Sequence, residues 1–459
     1  MESTIRKALE SVKADYADIR VERLWRSEVI YRGRNLESCE ASTAVGGVAR
    51  CLIGGGWGYA AFTGLDGLAD QLERAARVAR TVNERASGPL NLPPAPAVAA
   101  SYDTPMVRDI RAVGLEAKRK TLHRYNALML GVSPTVVQTI ARYTDTYREV
   151  TFGSSEGSYI TEGRPDVALS LSALAREKSG GIQRGLESHG WAAGFEAAEA
   201  REEFALAAAR RAVALTKAKP VKGGKYTVIM DPRHAGVFIH EAFGHLCEAD
   251  TLAKTPRLRE ILRPGRRFGS EELNVIDDGF MPGVRGNSPF DDEGTPRRRV
   301  YLIRNGVLEG FLHNRETAAR MGAEPTGNAR AVSFRDEPIV RMRNTYIDRG
   351  TATFDQMVRG VTSGVYACAS FGGETEIEQF TFTAVCGYEI VNGRLGEMLK
   401  NVVLSGNVFE TLANIEMVGD DLEVSGSAGG CGKDGQMPLP LTEGGPHIRV
   451  RDVIVGGAA

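Results

Sequence analysis

Tyr226–Asp250 reads YTVIMDPRHAGVFIHEAFGHLCEAD, an apolar strand that runs directly into a helix. Asp231 and Pro232 mark the joint. An aspartate at the N-cap accepts a bond from an otherwise orphaned amide, and a proline at the first helical position gives up a donor the helix does not need. Beyond them Ala235, Phe238, Ile239, Ala242 and Leu246 recur at helical spacing and should face a core. The same helix carries His240, Glu241 and His245.

The spacing of those three residues is informative. In an HExxH helix two histidines four apart lie on one face and reach one zinc ion at about 2.1 Å, with the glutamate beside it. Here the pattern is HExxxH. Five positions at 3.6 residues per turn advance roughly 500°, which leaves the imidazoles about 140° apart on an ideal helix. A local π turn of about 4.4 residues would bring them back within roughly 50°, and Gly244 is where the backbone yields most readily. Either histidine alone also reads as a hydrogen-bonded core residue; the combination points to a metal. Two histidines do not complete a site, so a third protein ligand is required. Cys431, in GGCGKDGQ, sits among glycines that permit a tight inward turn, although the local sequence fits an ordinary turn cysteine as well. Cys247 is close to His245 on the helix, and Cys368 and Cys386 lie in strand-like runs that suggest packing.

Working outward, the chain divides at two breaks. Ser87–Pro105 is rich in Pro, Ala and Gly, and Lys219–Gly224 holds Pro220 and two glycines. The expected units are an N-terminal α/β domain (1–95), a central mixed domain (106–220) and a C-terminal domain (221–459). The fold class is α+β, with a strand-rich C-terminal domain carrying the metal-binding helix. Strands are expected at Ala17–Trp25, Glu28–Asn35, Gly46–Ile53, Gly56–Ala61, Thr135–Tyr143, Tyr147–Phe152, Ser158–Glu162 and Val167–Leu174. Helices are expected at Leu68–Ala86, Arg108–Met129 and Ala192–Lys217. Asn305-Gly306 and Asn392-Gly393 mark hairpins in the last domain.

The 459 residues are ample for several cores, and 57 basic against 58 acidic residues leave no global field to draw nucleic acid or an anionic membrane. Arg297–Arg299 is the one conspicuous basic run, adequately read as a charged strand end. Asp291, Asp292 and Glu293 resemble a calcium or substrate-amine site by composition but read better as a solvated acidic turn, and they stay outside the metal site. Six scattered cysteines without a CxxC pair point to reduced thiols. Neither a signal-like apolar core at Met1–Val12 nor a bilayer-length stretch is present, so a cytoplasmic protein is expected.

Several motifs in order give the chain its resemblance: GGVARCLIGGGWGYAAF at Gly46–Phe62, HEAFGH at His240–His245, FDDEGTP at Phe290–Pro296, FLHNRETA at Phe311–Ala318, GNARAVSF at Gly327–Phe334, then FGGE, YEIVNGRL, MVGDD and CGKDGQ. The sequence resembles the TldD/PmbA family, specifically its metal-bearing TldD branch. The resemblance implies a zinc-dependent protease in which His240, His245 and Cys431 hold the metal and Glu241 is the general base. It also implies a paralogous PmbA/TldE-like subunit, or a second copy, as partner in a dimer, and unfolded peptides as substrates. The sequence departs from the family after the second histidine, where Leu246-Cys247-Glu248 replaces a glycine-rich continuation.

The expected chemistry is hydrolysis of a peptide bond, with Glu241 activating a zinc-bound water. His234, His313, Tyr366 and His447 are the candidates for an oxyanion donor, none singled out by the sequence. The competing reading is a non-catalytic peptide-binding or scaffolding subunit whose zinc merely clips the C-terminal loop to the helix.

Overall fold

Alternating apolar residues through Tyr16–Arg32 and Asn35–Ile53 make two long strands, β1 and β2, joined across Gly33, whose left-handed backbone a glycine takes freely. The computed structural model describes residues 1–376 and 378–456. With β3 (Gly56–Thr63), β4 (Ala99–Asp103), β5 (Val136–Ser154), β6 (Tyr159–Arg176) and β7 (Ile182–Trp191) they form one sheet, in the order β3-β2-β1-β5-β6-β4, with β7 also on β6. Strands from both sides of the Pro-rich stretch 87–105 thus share a single hydrogen-bonded layer, with β1 paired to both β2 and β5.

β1, β5 and β6 each run unbroken through what the alternation suggests are two strands. In β1 the reason is that one strand serves two cores. Ile19 and Val21 pack under the helices α1 (Glu2–Ser11) and α2 (Leu68–Asn83). Val29 and Tyr31, farther along the same strand, pack with α3 (Leu115–Gly131) and α4 (Glu202–Leu215). Between them Arg23–Arg26 is partly solvated, so the hydrophobic pattern lapses while the ladder continues. Both later helices are shorter than the sequence suggests. The Glu196 carboxylate accepts the amides of Val107, Arg108 and Gly194, which holds both approaches in turns instead of helix.

The third region is built on β8 (Lys219–Pro220) and β9 (Gly224–Met230). β9 lies between Ser363–Glu376, parallel to it, and Ile448–Gly456, antiparallel. Helix α5 (Pro232–Ile239) leaves β9 and packs against Ser363–Glu376 on one side. Its other side meets Asn344–Ile347 and Thr442–Gly445 of a separate six-stranded sheet. The largest apolar core surrounds it. Both expected hairpins form, Arg304 opposite Val307 and Val391 opposite Arg394, with Asn305 and Asn392 left-handed. The class is α+β with a strand-rich C-terminal region.

The acidic turn is buried, contrary to its reading as solvated. Asp291, Asp292 and Glu293 are at most 5% exposed. Arg164 Nη1 donates to Asp292 at 2.7 Å, and Arg50 bridges Glu293 at 2.9 Å and Asp18. Arg20 lies 3.4 Å from Asp292. These arginines stand on the first sheet, so the turn fastens the C-terminal region to it. Paired, hydrogen-bonded charges survive burial where single ones would not.

Candidate metal centre

The helix start follows the local signals. Asp231 accepts the His234 amide at 2.7 Å and, with its other oxygen, the Ala369 amide at 2.7 Å, so one carboxylate caps the helix and ties it to the neighbouring strand. After Ile239 the helix widens into a π turn over His240–Gly244, with the His245 amide bonded to the His240 carbonyl, and then tightens through His245–Cys247. This is the distortion the HExxxH spacing requires. Gly244, however, keeps an ordinary helical backbone. Glycine is needed there for space, since a Cβ would meet Met342 Sδ at 2.1 Å.

The widened turn sets the rings of His240 and His245 5.0 Å apart. Cys431 arrives from the far end of the chain on a hairpin, Cys431–Lys433 with Gln436–Leu439, closed by left-handed Asp434 and Gly435. Buried Arg341 holds this hairpin through the carbonyls of Cys431, at 2.8 Å, and Gln436. Cys431 Sγ lies 3.0 Å from His245 Nε2, and one donor atom from each of His240, His245 and Cys431 fits within 4.8 Å of the others. A tetrahedral ion with bonds of about 2.0–2.3 Å spaces its ligand atoms roughly 3.3–3.8 Å apart, so the set suits zinc after a shift on the order of 1 Å. His240 Nδ1 is buried without a hydrogen-bond partner among the described residues.

Glu241 faces the same point, 3.9 Å from His240 Nε2 and 3.7 Å from His245 Nε2. At 27% exposure its side chain reaches a cavity of about 500 Å³ also lined by His240, Cys431 and Glu443. Burial raises its pKa, a tendency that His245 opposes and Glu248 reinforces. Burial and the neighbouring His245 depress His240, which favours the neutral ring a metal needs.

Two residues that sequence reasoning passed over complete the arrangement. His245 Nδ1 donates to Glu248 at 3.1 Å, and Glu248 is fully buried. Lys433 stands 3.0 Å from Glu248 and 2.5 Å from Asp250. Burial alone would raise Glu248; Lys433 and His245 bring it down to about 2. Burial likewise opposes charge on His245, but Glu248 and Cys431 outweigh it and raise that ring's pKa. A carboxylate behind a ligating imidazole fixes the tautomer and the ring plane. The one available signal was that Glu248 falls three positions after His245, within reach on a helix.

The candidate oxyanion donors do not converge here. His234 Nδ1 donates to the Ala369 carbonyl, and His313 pairs with Thr317. Tyr366, His447 and Asp421 form a separate hydrogen-bonded chain. None of these lines the cavity. Cys247 is buried in the core, and Cys368 and Cys386 face each other across adjacent strands.

Three domain models of one family match in order: the PmbA/TldA metallopeptidase domain 1 at residues 17–81, the central domain at 108–217 and the C-terminal domain at 223–457. The chain belongs to the PmbA/TldD family. Within that family it is 40% identical over 448 residues to a metalloprotease of Synechocystis, covering 97% of this chain and 96% of the relative. It is 34% identical over 345 residues to a protein of Saccharolobus solfataricus named zinc metalloprotease TldD homolog, covering 74% and 76%. The fold matches the crystal structure of TldE from Thermococcus kodakarensis with a TM-score of 0.78 at 19% identity, over 100% of both chains. No helix among the described residues is long and apolar enough to cross a membrane.

Proposed function

We propose that this protein is a zinc-dependent peptidase acting on unstructured peptides, with His240, His245 and Cys431 as ligands and Glu241 as general base. The observation that carries the reading is the convergence of three ligand-type side chains beside a partly exposed glutamate at an open cavity. Zinc held there would supply Lewis acidity, polarising a carbonyl and making water acidic enough to lose a proton near neutral pH. Glu241, close to both Nε2 atoms, would take that proton and return it to the leaving amine. Glu248 and Lys433 would keep His245 oriented, and the strand Glu423–Ser425, last in its sheet with Ser425 on the cavity wall, offers an edge beside which an extended peptide can lie.

The metalloprotease names of the relatives support this activity, and the zinc metalloprotease among them supports the metal. A TldE-like paralogue or a second copy is the partner we propose, supported by the likeness to TldE. Reduced thiols, Cys431 among them, suit a cytoplasmic site of action. The test is E241Q. Retained zinc and fold with peptide cleavage reduced on the order of 10²–10⁴-fold is the expected result; cleavage at the parent rate removes Glu241 from the mechanism, and a purely structural zinc predicts a parent chain that cleaves nothing.

A further inference from the structure

Glu443 lines the same cavity as His240, Glu241 and Cys431, and proton transfer by Glu241 leaves it without a role. It stands on Thr442–Gly445, a strand laid directly on α5. A Cβ built on Gly236, one helical turn before His240, would meet the Glu443 carbonyl carbon at 3.2 Å. The side chain is part-buried, and no hydrogen bond to its carboxylate is present among the described residues.

The two arginines nearest this wall are engaged elsewhere. Arg233 pairs with Glu187 at 2.9 Å and with Glu423 at 3.4 Å. Arg285 grips Asp166 and donates to the carbonyls of Ser427 and Gly429. Burial and the charge of Glu241 push the Glu443 carboxyl up to about 8, against a smaller opposing pull from Arg285. Mainly the neutral acid at neutral pH, this group ionises when a cation is placed beside it, so a cationic ligand group and the carboxylate stabilise each other. Among the described residues none pairs with it, and the open side of the cavity is where a ligand enters.

We infer that Glu443 is a specificity-determining residue, whose carboxylate receives an ammonium or guanidinium group of the peptide, either its free amino terminus or a lysine or arginine side chain. This rests on the cavity being the peptide site.

The test is binding to the zinc-loaded full chain carrying E241Q, which suppresses turnover, with and without E443Q. The probes are alanine-based hexapeptides with a free or acetylated amino terminus, and with lysine or norleucine at each internal position in turn. At least one cationic peptide is expected to bind on the order of tenfold tighter than its neutral counterpart. E443Q should erase that difference, and E443D, which keeps the charge, should preserve part of it. Loss on acetylation assigns the amino terminus; loss with norleucine assigns the side chain. Equal binding of cationic and neutral peptides, or a preference that survives E443Q, overturns the inference. Cleavage of the same peptides by the parent chain is scored separately: binding that depends on Glu443 without any cleavage defeats the peptidase reading and leaves the cation site standing.

Discussion

Cys431 Sγ stands 3.0 Å from Nε2 of His245, although 186 positions of chain separate the two residues. A remote hairpin has been brought to a distorted helix, and Arg341 and Lys433 hold it there. Replacing the sulfur should therefore cost the metal more than the fold. C431S is expected to lower zinc affinity by more than the roughly 10–100-fold carried by residues behind the ligands. Chelator competition followed by elemental analysis reads this, and a variant that holds zinc as tightly as the parent would remove Cys431 from the ligand set.

Glu248 supports His245 from behind and shares Lys433 with Asp250. E248Q is expected to weaken zinc binding or activity by about 10–100-fold while the primary ligands remain. The same chelator competition measures it, and an unchanged affinity together with unchanged activity would make the contact incidental.

Much of this centre was legible in the sequence because its signals are local. Asp231-Pro232 fixes a helix start, and five-residue spacing between His240 and His245 demands a π turn. What the sequence concealed depends on distant partners. The acidic run at Asp291–Glu293 reads as solvated until Arg20, Arg50 and Arg164 are brought against it. Glu248 is ordinary until Lys433 arrives, and β1 reads as two strands because Arg23–Arg26 lies between two cores that only the folded sheet reveals.

Gly244 tests the packing of the widened turn. A Cβ there would stand 2.1 Å from Met342 Sδ, the far part of a flexible side chain. G244A is expected to destabilise the fold by about 1–3 kcal/mol, as overpacking does, and M342A in the same chain should restore part of the loss. Denaturant unfolding of the two single variants and the double variant measures the coupling, and strict additivity would place the strain elsewhere.

The buried turn sets a pH dependence of stability. Burial opposes ionisation of Asp292, but Arg164, Arg20 and Arg148 hold its carboxyl below the ordinary value. Its folded form binds fewer protons than the unfolded chain, so its stabilisation is present above about pH 4 and is lost as pH falls toward the folded value. Asp291 works the other way. Burial and Glu293 raise it to about 7, so its contribution is full below about pH 4 and is lost as pH rises through 7. D292N should cost about 3–5 kcal/mol at pH 7 and flatten the acid limb. Urea unfolding across pH checks both, and an acid limb as steep as the parent's would exclude Asp292 as its source.

The central claim is the ligand set. X-ray absorption at the zinc edge of the zinc-loaded protein measures it directly. The account predicts one sulfur at about 2.3 Å and two imidazole nitrogens at about 2.0–2.1 Å, with the sulfur shell absent from C431S. A shell of nitrogen and oxygen alone in the parent, or a spectrum that C431S leaves unaltered, would contradict it.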